Sequence, residues 1–563
     1  MYRNVVSYTR SGVQYIWEST WDQDGNRVEI ETPIEPYLYY EDNNIKKENV
    51  KELSMFNRPL RKMVFKTSYE RNEWIKTSKN IPLFEKLTPA KQYLLNKYFG
   101  LEQSEEFSQY PFRVFNIDIE IEIEGKFPDP LYADFPINII SLYDTLTSNV
   151  IVWIYNKDVD EKFTKEHEKQ ITKELKSKYD KNINQIIYCC FEKEHLLLEN
   201  FLNYWEHNYP DIITGWNIDK FDILYIINRI IKVLGEGNQY RLSPIKNTKK
   251  PVYTIFNHDE NTIIYKIQGV SICDYINLYK KFEGASKQSF KLDYIANLEL
   301  GFGKLDYFEL GYETMYDFMN TNFSTFVKYN IIDTVLIKLL NDKLQLLQLM
   351  RKICNIGLVE YESIFSSIPY ILGALTIQAR YNNVYFLTDS NKSEDNKNEN
   401  DGFTGAFVFP TKAGYYKSGI VSFDFNSLYP NVMMTINVSP ETKVGKVVSN
   451  EEDKDVTIRK TNGKLITISK EQFQTILDTK CTLSANKVLY IKPSIKQGII
   501  PQFLDKFYNL RKSTKNMMKT NKQKVKDLDD AIKKLEKELK SLWNINKYNC
   551  ISLKSKDNIS YDK

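Results

Sequence analysis

The sequence predicts a multidomain protein that combines α/β and α+β architecture. Three observations carry this. The 563 residues suffice for several separate cores. From the Gln109-Tyr-Pro-Phe-Arg113 region to about Asn341, short strand-like runs alternate with longer amphipathic stretches. After Pro501 the apolar residues adopt the three-and-four spacing of long helices.

In chain order, the first segment is β-rich. Val13 to Glu18 and Arg27 to Glu31 flank Asp24-Gly25, a hairpin signal. Strands are expected over 115–123, 139–143 and 151–154, then helices over 194–207 and 341–361. The polar run from Asp389 to Asp401 holds no residue able to anchor a core and reads as a linker. Ile420, Val421 and Phe423 form an apolar strand-like run with Asp424 at its end, followed by a tight Asn-Ser-Leu-Tyr-Pro turn. A strand-rich stretch continues to about Ile499. Beyond it, Val525, Leu528, Ile532, Leu535, Leu539 and Leu542 make one apolar seam while lysines crowd the other faces. That pattern predicts a solvated antiparallel helical hairpin.

Composition narrows the chemistry. Basic and acidic residues nearly balance, 77 against 73, so the whole chain has no strong electrostatic footprint. The six cysteines lack any Cys-x-x-Cys spacing and read as reduced packing residues. Four scattered histidines argue against histidine-based metal or triad chemistry. No signal-peptide core opens the chain and no apolar run is long enough to span a membrane, so a soluble, cytoplasmic protein is expected.

Three acidic clusters fall in the α/β region. Asp118 and Glu120 sit at i and i+2, on one face of a strand. Asp222 follows an apolar strand and the turn Thr214-Gly-Trp-Asn217, near the first turn of a helix. Tyr329 and Asp333 are spaced i and i+4, on one helical face. Each cluster alone is commonly surface decoration; their order, separation and contexts together point to one cleft. Four carboxylates and a phenol suit phosphodiester hydrolysis with two divalent ions, because hard oxygen ligands hold the ions that activate water and stabilise the leaving oxygen. Asp424 is likewise placed to hold a metal, with the backbone beyond it and Tyr429 able to seat a nucleotide. Arg511 and Lys515, at i and i+4 on a helix, can face a triphosphate.

The stretch Asp424-Phe-Asn-Ser-Leu-Tyr-Pro430 resembles motif A of family B DNA polymerases, with Asn431 in the place of a final Ser. The three clusters resemble that family's Exo I, Exo II and Exo III motifs. The resemblance, strongest to replicative polymerases of T-even-type phages, runs from near residue 1 to about Asn521, and also covers Arg241-Leu-Ser-Pro244, Asp274-Tyr-Ile-Asn-Leu-Tyr-Lys-Lys281 and Asn437-Val-Ser-Pro-Glu-Thr442. It implies an RNase H-like 3′–5′ exonuclease domain over 113–341 and an N-terminal β-rich domain over 1–112, to which 342–388 returns. A linker over 389–401, a partial palm over 402–496, partial helical fingers over 497–549 and an unmatched tail over 550–563 complete the expected division. It implies metal ligands Asp118, Glu120, Asp222 and Asp333, with Tyr329 positioning water, and Asp424 as a palm ligand. Two Mg²⁺ or Mn²⁺ ions per site are implied. Phe425, Ser427, Leu428, Tyr429, Arg511 and Lys515 would bind nucleotide, and Asn217, Lys304, Phe403 and Gly405 would touch DNA. Phe403 stands where the family has a Tyr.

The family pattern then stops. Neither a Lys-x-x-x-Asn-Ser-x-Tyr-Gly helix nor a Tyr-x-Asp-Thr-Asp hairpin is present, and no thumb follows. Two-metal nucleotidyl transfer needs both palm carboxylates. The expectation is the N-terminal part of a split phage replicative polymerase, completed by a second polypeptide and acting on primer-template DNA, single-stranded 3′ ends and dNTPs in a host cytoplasm. A stand-alone exonuclease, a non-catalytic DNA-binding remnant and a truncated gene product are the alternatives.

Overall fold

The computed structural model describes residues 2–45, 50–78, 81–102, 110–121, 128–155, 162–257, 262–284, 287–389, 408–449 and 455–545. They fall into two compact units, Met1–Val408 and Phe409–Lys563.

The first unit begins with an antiparallel sheet of β1 (Tyr2–Arg10), β2 (Val13–Trp21) and β3 (Arg27–Ile34). The β2–β3 turn closes because the Asp22 carboxylate accepts the N–H groups of Asp24 and Asn26 while Gly25 takes φ +82°. A second small sheet holds β4 (Tyr37–Glu41), β5 (Leu60–Val64) and β6 (Leu83–Phe84), with α1 (Ser68–Thr77) and α2 (Pro89–Tyr98) between and after them. Its edge is completed from far down the chain, where Leu387 pairs with Phe84.

The central sheet uses β7 (Val114–Ile121), β8 (Ile137–Asp144), β9 (Asn149–Tyr155), β10 (Ile186–Phe191) and β11 (Ile212–Thr214). Between them run α3 (Lys165–Lys178) and α4 (Glu194–His207), and α5 (Asp222–Leu234) follows. A hairpin of β12 (Val252–Asn257) and β13 (Thr262–Ile267) precedes β14 (Ser271–Ile272). The strand order is β10-β9-β8-β7-β11-β14, antiparallel at its centre and parallel on both flanks. Helices α6 (Tyr275–Glu283), α7 (Leu292–Leu300), α8 (Met315–Thr321), α9 (Phe323–Leu344), α10 (Leu346–Gly357) and α11 (Ser367–Tyr381) follow, then β15 (Leu387–Asp389).

Strand β7 explains where the site lies. Its pleat sends Phe115, Ile117, Ile119 and Ile121 into one core with Trp205 and Trp153. The alternate residues, Asn116, Asp118 and Glu120, face the layer in which α9 packs across β7 and β8. Each buried isoleucine contributes roughly 1.5–3 kcal/mol, so the apolar half of the pattern fixes which way the carboxylates point.

In the second unit, α12 (Leu428–Ile436) leads to an antiparallel sheet of β16 (Lys443–Ser449), β17 (Val456–Lys460), β18 (Leu465–Ile468), β19 (Cys481–Leu483) and β20 (Val488–Ile491), in the order β18-β17-β16-β20-β19. Helix α13 (Lys470–Thr479) lies in this unit, and α14 (Ile499–Ile545) ends the described chain. Buried Asn437 ties these parts together: its amide donates to Ile491 O and Lys496 O, and its oxygen accepts Gly498 N–H. Glu441 accepts the N–H of Ile499 at the start of α14.

The structure differs from the sequence pattern in two places. Ile420 to Asp424 is not a strand; the residues are exposed, and no ladder partner reaches them among the described residues. The region after Pro501 is one continuous helix of 47 residues rather than a helical hairpin. No Gly or Pro interrupts it after Pro501, and its many Lys and Leu residues favour continued helix. Its seam is consequently bare, with Leu535 58% and Leu539 65% exposed. Among the described cysteines none is bridged; Cys273, Cys354 and Cys481 are buried, whereas Cys190 is exposed. No helix among the described residues is long and apolar enough to cross a membrane.

Candidate active site

Strand β7 brings Asp118 and Glu120 to the face of α9, and α9 returns Tyr329 and Asp333 toward them. One carboxylate oxygen each from Asp118, Glu120 and Asp333 lie within 4.8 Å of one another. Asp222, at the start of α5, sits beside this trio: its Oδ1 accepts the N–H of Ile119, the residue between Asp118 and Glu120. Strand β7 thus supplies two of the carboxylates, the start of α5 the third and the middle of α9 the fourth.

Several neighbours fix the cluster. Asn330 Nδ2 donates to Asp118 Oδ2 at 2.6 Å. Ser141 on β8 donates to Asn330 O and shares a short hydrogen bond with Thr334, pinning α9 to the sheet. Lys304 is ion-paired with Asp333 Oδ2 and donates to the Tyr329 hydroxyl at 2.9 Å. The turn before α5 approaches β7 closely: a Cβ on Gly215 would lie 2.6 Å from Ile117 O, so only glycine fits. Asn217 in that turn adopts φ +69°.

The charges are incompletely balanced. Burial, then the Asp333, Asp222 and Glu120 charges, hold the Asp118 carboxyl well above the carboxylate range, with Lys304 opposing. Burial and the Asp333 charge push Glu120 up to about 8. Burial lifts Asp222 to about 7 against the lowering effect of the Ile119 N–H. Asp333 is also raised by burial, with Lys304 pulling it down. Burial opposes the charge on Lys304, yet Asp333, Tyr329 and Asp118 hold its ammonium well above the usual lysine value. Burial and the Asp333 charge raise the Tyr329 phenol, which leaves it neutral and a hydrogen-bonding group rather than a base.

Asp333 is 3% exposed, and its Oδ1 has no hydrogen-bond partner among the described residues. An orphaned buried carboxylate oxygen beside two further acidic oxygens fits a hard divalent cation, whose charge would replace the protons that the cluster otherwise retains.

In the second unit, Asp424 and Phe425 are exposed on chain without regular secondary structure before α12. Ser427 takes a left-handed conformation, φ 51°, and Leu428 and Tyr429 open the helix. The Asn431 side chain donates to Asn426 O at 2.8 Å, closing this turn. Arg511 Nη1 lies 3.4 Å from Ser427 Oγ, so α14 delivers one expected phosphate contact to the motif turn. Lys515 lies one helical turn farther along the exposed α14. Phe403 and Gly405 lie outside the described residues.

Lys304, which the resemblance implies as a DNA contact, stands beside the carboxylate cluster through Asp333 and Tyr329. Asn330 was missed, although its place beside Tyr329 in Tyr-Asn-Ile-Ile-Asp was the available signal. Asp274 was missed too: its carboxylate accepts the N–H groups of Asn217, Asp219 and Ile276.

The chain matches two family models. The model for the DNA polymerase family B exonuclease domain covers residues 39–295, and that for DNA polymerase family B covers 370–537. The chain belongs to the family B DNA polymerases. Tyr329 and Asp333 fall between the two matches. The chain is 27% identical to the DNA-directed DNA polymerase of Escherichia phage RB69 over 519 residues, 89% of this chain and 53% of that protein. It is 32% identical to the DNA-directed DNA polymerase of Enterobacteria phage T4 over 350 residues, 59% of this chain and 36% of that protein. A DNA polymerase delta catalytic subunit of Drosophila melanogaster is 24% identical over 354 residues, 60% of this chain and 30% of that protein. The chain thus spans about half the length of the first of these relatives, and less of the others.

Proposed function

We propose that this chain carries a metal-dependent 3′–5′ exonuclease site together with part of a DNA-synthesis site. The observation that carries the reading is the convergence of Asp118, Glu120 and Asp333 oxygens within 4.8 Å, with Asp333 Oδ1 unpartnered. Asp118, Glu120, Asp222 and Asp333 would hold Mg²⁺ or Mn²⁺, two ions per site. Bound ions supply water activation and charge stabilisation for phosphodiester hydrolysis. Tyr329 orients the attacking water through its neutral hydroxyl, and Lys304 holds that hydroxyl and Asp333 in place. Asn217 contacts the DNA 3′ end from its fixed turn. The substrate is a single-stranded 3′ end, including one frayed from a primer during replication in a phage-infected host.

For synthesis, Asp424 supplies one palm carboxylate. Phe425, Ser427, Leu428 and Tyr429 seat the nucleotide, and Arg511 and Lys515 neutralise its phosphates; the 3.4 Å approach of Arg511 to Ser427 supports this grouping. Residues 402–496 and 497–549 act as the first parts of palm and fingers, and 113–341 as the RNase H-like exonuclease domain. The second palm carboxylate comes from polypeptide outside these 563 residues. The exposed stretch before Asp424, which has no strand partner among the described residues, suits such completion. The bare stretch equally suits a stand-alone exonuclease, the second reading.

The test is trimming of end-labelled single-stranded DNA by the purified chain with Mn²⁺ or Mg²⁺. Shortening from the 3′ end, lost in EDTA and in Asp118→Ala with Glu120→Ala, is expected. Absence of trimming under either metal would refute the exonuclease. Co-expression with a polypeptide bearing the missing palm carboxylate should restore primer extension. If it adds nothing, the stand-alone reading stands.

A further inference from the structure

The carboxylate of Asp274 is 1% exposed and belongs to none of the acidic clusters that the sequence singles out. One bond, from Ile276 N–H at 3.1 Å, caps α6 in the ordinary way. Two further bonds have no part in capping. Oδ1 accepts the N–H of Asn217 at 3.0 Å, and Oδ2 accepts that of Asp219 at 3.2 Å, both across more than fifty residues of chain. A serine or asparagine would cap the helix without the expense of burying a charge. What a carboxylate adds is two equivalent acceptor oxygens, which two elements can share.

The segment around Asp274 is itself fastened to the turn it holds. Cys273 N–H donates to Ile213 O and Tyr275 N–H to Gly215 O, while Thr214 Oγ1 donates to Cys273 O at 2.7 Å. From Asp219 the chain needs only three residues to reach Asp222, whose Oδ1 meets Ile119 N–H between Asp118 and Glu120. We infer that Asp274 is a positioning residue for the carboxylate site: it locks the turn bearing Asn217, in its left-handed conformation, and thereby sets where Asp222 stands. This rests on the exonuclease reading of that site.

The test compares the full chain with Asp274→Asn, which keeps the size and one acceptor, and with Thr164→Ala, which removes an unrelated helix cap on α3. Amide hydrogen exchange, read by mass spectrometry on peptides covering 215–223, should quicken by at least about 10-fold in Asp274→Asn. Mn²⁺ binding, read from the loss of the free-ion resonance, should weaken by about 10-fold. Thr164→Ala should change neither. Unaltered exchange over 215–223, or faster exchange with unchanged Mn²⁺ affinity, would overturn the inference. Failure of the native chain to bind Mn²⁺ or trim DNA would instead sink the exonuclease reading, and the exchange data would still decide whether Asp274 holds the turn.

Discussion

Replacing Asp222 with asparagine should stabilise the metal-free protein, and more so as the pH rises. Asp222 is 5% exposed, and burial carries its carboxyl from the ordinary 3.8 up to about 7. Between roughly pH 4 and 7 the folded chain therefore keeps a proton that the unfolded chain has lost. With more protons bound in the folded state, stability falls as pH rises through that window. At about 1.36 kcal/mol per pH unit the loss reaches on the order of 4 kcal/mol above pH 7, and less than half of that at pH 5. Asparagine carries no charge, and its Oδ1 can still accept Ile119 N–H. Since 1 kcal/mol moves the midpoint by about 2–4 °C in a domain of 150–250 residues, Asp222→Asn should melt at least about 4 °C above native at pH 8. The lead should shrink to less than half at pH 5. Scanning calorimetry in EDTA measures both. Adding Mn²⁺ should reverse the order, because the native cluster binds the ion and the variant binds it less well. A variant that melts below native at pH 8 in EDTA, or whose lead does not grow with pH, would refute the reasoning.

Tyr329→Phe should lower kcat for 3′ trimming by about 10–100-fold while leaving KM unchanged, as expected for a group that orients water rather than binding DNA; steady-state kinetics on single-stranded DNA would check this. Lys304→Met should cost about 3–5 kcal/mol in EDTA by stranding buried Asp333, and Mn²⁺ should recover part of the loss in thermal melts. Arg380→Met should cost a similar amount, about 3–5 kcal/mol, because Arg380 meets the fully buried Glu85 through two parallel bonds; Arg380→Met with Glu85→Leu should cost less. Urea unfolding of the single and double variants provides that measurement.

Much of the first unit was legible because its signals are local. The period-two pattern at Asp118 and Glu120 survives as the pleat of β7, and the helix expected over 194–207 has those bounds as α4. The pairing of Tyr329 with Asp333 followed from helical spacing alone. What the sequence could not disclose depends on partners distant in the chain. Lys304 is implied as a DNA contact, but nothing local in the sequence announces its ion pair with Asp333. Asn330 is marked only by its place beside Tyr329, and its bond to Asp118 crosses 212 residues. The run ending at Asp424 has strand-like composition, but strands need neighbours, and none is supplied by the described residues. The long seam of α14 suggested a folded-back helix because exposed leucines are costly; uninterrupted helix propensity prevailed.

The hydrogen bonds at Tyr2 bear on how this molecule comes into being. Its hydroxyl donates to Val359 O, and Tyr361 returns a bond to the carbonyl of Tyr2, spanning 357 and 359 residues. Although β1 can pair locally with β2, these two Tyr2 bonds wait, during synthesis, until residue 361 has cleared the ribosome. The acidic cluster waits nearly as long, for Asp118 must be joined by Asp333. Contacts of such separation fold slowly, since loop closure precedes any reward. A nascent chain consequently emerges with its acidic residues scattered, and the acidic cluster would assemble late and all at once.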